Sequence, residues 1–161
     1  MTNRCSLVAV ALVLLCAGCP YGVRGNLPGH LTTVTILQMR SQTSEYGLEQ
    51  QLTSLVVEAM VSDGRLAVVS SGADAVLEAV ITGFSRTPYS YTSSEVVEEY
   101  KLQISVRIDF EDRVQEVALL ESETVAEWVI YDPDTETFVD AKARLLADAA
   151  EEIVRRTLSG W

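Results

Sequence analysis

The chain has 161 residues, with 12 basic against 23 acidic side chains for a net charge of −11, and 48% of its residues are hydrophobic. That balance excludes a nucleic-acid binder, whose affinity runs on neutralised phosphates, and a polybasic grip on anionic lipid. Disorder is excluded too, because the apolar residues are both abundant and patterned.

The chain opens with Met1, Thr2, Asn3 and Arg4, then nine apolar residues from Leu7 to Leu15. A bilayer-spanning helix needs about 20, whereas the core of a secretory signal needs roughly 7–15, followed by small residues at the cut site. Ala17 and Gly18 are those small residues, and Cys19 follows at once. The segment resembles a bacterial lipoprotein signal, whose lipobox sets an aliphatic residue and two small residues before the cysteine that becomes lipidated. Cys16 stands where leucine is usual, but it is small and apolar enough for that slot. A buried anchor or an uncleaved signal helix is the bland alternative.

Cleavage before Cys19 is therefore expected: residues 1–18 leave as a signal peptide, and Cys19 carries the lipid on its sulfur. Cys5 and Cys16 would leave with the leader, so the remainder holds no free thiol, as suits an exported protein. A redox or zinc reading of "CAGC" is weaker, since no βαβ pattern surrounds it and no second cysteine pair exists. The resemblance implies three acyl chains; at about 0.8 kcal/mol per buried methylene, two signals already anchor stably. It also implies a sorting rule under which Pro20, in place of aspartate, sends the protein to the outer membrane, facing the periplasm. Losing 18 residues leaves 143, enough for one domain with a proper core. The 12 basic residues become 11 against the same 23 acidic ones, a net charge of −12.

Residues 19–31, "CPYGVRGNLPGHL", hold two prolines and three glycines and read as a flexible tether spanning up to roughly 40 Å. The single folded domain is expected over 32–161. "TTVTILQM" (32–39) is β-branched and apolar, which predicts a strand. Leu48, Leu52, Leu55, Val56, Ala59 and Met60 then fall on one face of a helix. Glu45 and Glu49 suit its positive end, and Gly64 suits a left-handed cap. "RLAVVSS" predicts a short strand and residues 75–86 a longer one. Leu102, Ile104, Val106, Ile108 and Phe110 alternate with polar residues, the period of a half-buried strand. A further strand is expected over 117–131, broken near Glu121–Glu123, before an Asp132-Pro133 turn. An amphipathic helix over 140–158 closes the pattern with Leu146, Ala149, Ala150, Ile153 and Thr157 on one face. The order predicts an α+β two-layer sandwich: a mainly antiparallel or mixed sheet of four or so strands, with two helices packed on one face.

No catalytic constellation can be assembled. His30 is the sole histidine and, lying in the tether, is expected to be solvated. No serine sits in a nucleophile elbow. The acidic groups at Glu95, Glu98 and Glu99 and in "DPDTE" lack the alternating ligands of a calcium loop, so they read as solvated charge and no metal site is expected. Lys142, Arg144, Arg155 and Arg156 suggest a basic patch for an anionic ligand, with Arg144, Arg155 and Arg156 at its centre. The blander account is i,i+4 pairing of Arg144 with Asp148, Glu151 with Arg155 and Glu152 with Arg156. Tyr89, Tyr91 and Tyr100 lie among serines and threonines, a composition that suits a partner-recognition surface; the alternative is that they cover their own sheet.

The lipobox, then "GVRGNLPGHLTTVTI", "TSEYGLE", "DGRLAVV", "ADAVLEAVITGFSRTPYSY" and the closing "RRTLSGW", together resemble the LPS-assembly lipoprotein family, LptE. The likeness covers nearly the whole chain after Cys19 and rests on the order and spacing of these segments. It implies a small sheet carrying two helices on one side, and a non-enzymatic protein without cofactors beyond the acyl and diacylglyceryl lipid on Cys19. It also implies a partner, the outer-membrane β-barrel LptD, whose lumen such proteins plug while lipopolysaccharide is delivered to the cell surface. The polar face of 101–110 would then meet a polar lumen. Some members are thought to bind lipopolysaccharide through basic residues; here a net charge of −12 opposes a polyanionic ligand and favours scaffold and plug over carrier. The rival reading is a generic periplasmic-facing lipoprotein that serves another envelope machine or binds a small ligand.

Overall fold

The computed structural model describes residues 27–159. The expected leader, Cys19 and the first part of the tether lie outside the described residues.

The strands are β1 (Thr33–Ile36), β2 (Arg40–Ser41), β3 (Ala67–Val68), β4 (Ala75–Tyr91), β5 (Val97–Asp112) and β6 (Val117–Tyr131). The helices are α1 (Leu48–Asp63) and α2 (Phe138–Ser159). The strands form one mixed sheet in the order β3-β1-β4-β5-β6, with β2 also paired to β4. β4, β5 and β6 make an antiparallel meander, while β1 and β2 lie parallel to β4. This is the expected α+β layered class, with six strands because short ones are added at the parallel side. The expected strand over 32–39 is split: β1 ends at Ile36, and the chain resumes as β2 beyond the buried Met39.

The alternating run of β5 behaves as its period requires: Leu102, Ile104, Val106, Ile108 and Phe110 are all buried. They meet Leu77, Ala79 and Ile81 of β4, the buried face of α1 (Leu48, Leu52, Val56, Met60) and Leu145, Leu146, Ala149 and Ile153 of α2. α1 stops at Gly64, whose φ of 75° is the left-handed cap conformation and whose N–H donates to the Met60 carbonyl. The break expected near Glu121–Glu123 is a bulge within a continuous strand. Ile108 faces Glu123 but Phe110 faces Leu120, and Ser122 takes a φ of 52°. The Ser122 N–H is satisfied by Asp109 Oδ1 at 2.7 Å.

α2 begins at Phe138, two residues before the expected start, because Thr137 caps it. The Thr137 hydroxyl accepts the Asp140 N–H (3.2 Å) and donates to the Asp140 carboxylate (2.7 Å), the N-cap role that suits threonine.

The expectation of a solvated His30 is corrected. Its Nε2 lies 2.5 Å from Asp112 Oδ2, 82 residues away, and Asp112 is buried. Leu31 is buried as well, and its N–H closes a turn onto the Pro28 carbonyl. Packing therefore begins inside the stretch read as tether, since the turn end of the β5–β6 hairpin supplies partners that no neighbouring sequence reveals.

Candidate functional site

The helices cover one face of the sheet and leave the other open. Strand register places Lys101, Gln103, Ser105 and Arg107 of β5 on the open face. Thr124, Ala126, Trp128 and Ile130 of β6 stand opposite them, and Val80, Gly83, Ser85 and Thr87 of β4 flank the other side. No acidic residue occupies these positions, although the chain as a whole is strongly acidic. Trp128 is 54% exposed, and the Lys101 ammonium lies 4.9 Å from its ring centroid. The result is a broad, polar, weakly cationic wall bearing one aromatic side chain. The exposed acids of the helices, including Glu58, Asp148 and Glu151, face the other way.

The three tyrosines separate. Tyr89 and Tyr91 are exposed, with Val96, on the arm formed by the end of β4 and the start of β5. The arm's tip is organised by Thr92, whose hydroxyl accepts the Ser94 and Val96 amides and whose N–H donates to the Val96 carbonyl. Tyr100 is half-buried and stacks on Tyr131, with ring centroids 5.9 Å apart. The Arg86 guanidinium sits 3.8 Å above the Tyr100 ring and also approaches Tyr131 and Phe138. Tyr100 thus covers its own sheet, through a cation–π contact of the kind that stabilises partly desolvated sites. Arg86 escaped the sequence reading. Its only signal is its place two residues beyond Phe84, on the alternation that points toward the helices.

The arginines of α2 also separate. Arg144 pairs with Glu136 (2.7 Å) and donates to the Ile130 carbonyl. Arg155 and Arg156 both grip Glu152, and Arg156 reaches Glu123 at 2.7 Å. Eleven residues of helix put Arg144 about 16 Å from Arg155. Of the expected i,i+4 pairs, Glu152–Arg156 forms, whereas Arg144 and Arg155 take other partners. Burial pushes the Glu152 carboxyl up, but the two arginines outweigh it and leave its pKa below the ordinary value. Glu127, beside them on β6, is raised by burial and by the charges of Glu152 and Asp148. Lys142 is spoken for as well, by Glu45 at 2.8 Å.

At the opposite end from the arm, two aspartates gather the incoming chain. Asp74 Oδ2 accepts the Thr32 and Thr33 amides and the Thr32 hydroxyl, and these bonds hold its pKa far below the carboxylate range. Asp112 takes His30 on one oxygen and the Val114 and Gln115 amides on the other (2.8 and 2.9 Å). Burial pushes the Asp112 carboxyl up; the Gln115 amide, His30 and the Val114 amide together outweigh it, so its pKa is lowered.

Among the described residues, no group of three or more His, Cys, Asp or Glu side chains is placed to hold a metal ion. No described helix is long and apolar enough to cross a membrane.

A family model described as LptE, lipopolysaccharide-assembly, matches residues 31–159. The chain belongs to the LptE family. LptE proteins are envelope-associated lipoproteins of lipopolysaccharide assembly, a non-enzymatic class. Solved structures with the same fold include an uncharacterized lipoprotein B from Nitrosomonas europaea, at 16% identity and TM-score 0.61, covering 88% of this chain and 92% of that one. A minor lipoprotein from Acinetobacter baumannii matches at 13% identity and TM-score 0.55, over 81% and 94% of the two chains. The rare lipoprotein B from Shewanella oneidensis matches at 21% identity and TM-score 0.50, over 78% and 92%. At these identities the likeness is one of fold. No curated protein matches the chain. The LptE match starts at the buried Leu31, close to where packing begins.

Proposed function

We propose that this LptE-family chain is anchored through lipid on Cys19 to the periplasmic leaflet of the outer membrane, where it plugs and scaffolds the LptD barrel. The observation that carries the reading is the open sheet face. Antiparallel sheets commonly keep one polar face in water, and a barrel lumen is a polar wall of matching character for the one this sheet presents. The face has hydrogen-bonding groups (Gln103, Ser105, Thr124), one aromatic anchor (Trp128) and little net charge. The exposed arm with Tyr89 and Tyr91 adds large, stiff side chains of the type that anchor protein contacts.

Scaffold and plug fit better than carrier. Each arginine once grouped as a basic patch is engaged by a carboxylate, so none is a ready site for a polyanionic lipid. The test is co-purification: the tagged protein, extracted in mild detergent, brings down a large β-barrel protein, and depletion lowers surface lipopolysaccharide. A Trp128→Asp variant, altered at an exposed position, should fold normally yet recover less barrel. Recovery of the lipoprotein without any barrel would favour a subunit of another envelope machine.

A further inference from the structure

We infer that, while the body is free of the barrel, the turn between β5 and β6 rests on the lipid leaflet that carries the anchor, and that Asp112 is the clamp that sets this orientation. The inference rests on the reading of Cys19 as the anchor. Its own content is which end of the body meets lipid and through which residues.

Asp112 supplies the first part. One buried carboxylate holds the incoming chain through His30 and the turn through the Val114 and Gln115 amides. Arg113 adds a second tie, its N–H donating to the Asp74 carbonyl at 2.7 Å, while the Asp74 side chain grips Thr32 and Thr33. Separating the chain's entry from the turn would strip a buried carboxylate of its partners, which costs far more than an exposed contact is worth. Entry and turn therefore move as one piece.

Chain length supplies the second. Cys19 precedes Leu27 by eight residues, which reach at most roughly 29 Å when fully extended. β4 alone has 17 residues, a span of roughly 55 Å. An anchor on Cys19 can thus bring the turn to the leaflet, and it is too short for the body to stand upright on its Tyr89–Val96 arm while the entry stays beside Asp112.

The third part is what the turn presents. Val114 is 61% and Val117 48% exposed, an apolar pair at the end of a hairpin. Arg113 beside them is paired with Glu111 and has a long stem that suits the interface between headgroup and acyl chain. Two valines are too small to hold a protein on a membrane, but they suffice to orient one whose attachment the anchor supplies. With Arg113 paired to Glu111, the turn keeps one exposed carboxylate, Glu116, which favours a zwitterionic lipid surface over an anionic one.

Hydrogen–deuterium exchange on the chain from Cys19 onward tests this. Its only thiol is coupled to a maleimide phospholipid in phosphatidylethanolamine–phosphatidylcholine vesicles, so attachment does not depend on lipidation in the cell. The expected result is slower exchange over 113–118 than in the same protein with Cys19 capped by a small maleimide, and unchanged exchange over 89–97. Val114→Asp with Val117→Asp should float with the vesicles yet lose that protection. Unchanged exchange at the turn, protection of the arm instead, or protection that survives both substitutions would each overturn the inference. Mass spectrometry of the native polypeptide tests lipidation of Cys19 separately.

Discussion

Asp74 and Asp112 make the sharpest residue-scale claim. Both carboxyls titrate below their ordinary range because backbone amides, hydroxyls and His30 favour the charged form. A depressed folded pKa means the stabilisation is complete above the unfolded value and fades as pH falls through the folded one. Thermal melts should therefore vary little with these groups near neutrality and fall below about pH 4, where unfolded carboxylates take up protons. Asp112→Asn should lower the melting temperature at pH 7, and the gap to the parent should narrow as the pH approaches 3. A gap that stays constant with pH would remove the charge from the explanation. None of this was visible locally. His30 stood between a glycine and a leucine in a proline- and glycine-rich stretch, and its partner lies 82 positions away.

At the scale of elements, local pattern did most of the work. The period-two run of β5 and the helical spacing of Leu48, Leu52, Val56 and Met60 are all buried as their geometry demands. Gly64 was legible because left-handed caps favour glycine. A Cβ added there would meet nothing within 4 Å, so the cost of replacement is purely conformational. Gly64→Ala should destabilise by about 1 kcal/mol, read as a shift in the urea midpoint at constant slope. An unchanged midpoint would mean that α1 ends by other means. The bulge at Glu121–Ser122 was legible only as an interruption. Its form depends on Asp109 of the neighbouring strand accepting the Ser122 amide. Splitting the first strand into β1 and β2 also follows from neighbours, since each segment docks on a different stretch of β4.

For the whole molecule, the distribution of charge matters more than its total. The uncovered sheet face is free of acids over its central rows, while exposed acids gather on the helical side. A barrel wall facing the helices should then be basic, and one facing the sheet should be neutral and polar. The complex should be retained less well as sodium chloride rises toward 1 M, where the Debye length is about 3 Å. It should not dissociate fully, because the sheet-face contact carries little charge. Retention that does not change with salt would count against a basic lumen opposite the helices.

By itself, the sequence determined the periods, the caps and the acidic balance, because each depends on residues a few positions apart or on none. The lipobox expectation has the same local origin. Tertiary structure alone decided the strand order, the parallel docking of β1 and β2, the retirement of Tyr100 from the surface and the partners taken by Arg144 and Arg155. It also turned His30 from a solvated tether residue into the partner of the buried Asp112. These outcomes depend on which distant groups share a neighbourhood once the core has closed, and a charged side chain takes the partner that packing brings nearest rather than the one that spacing offers.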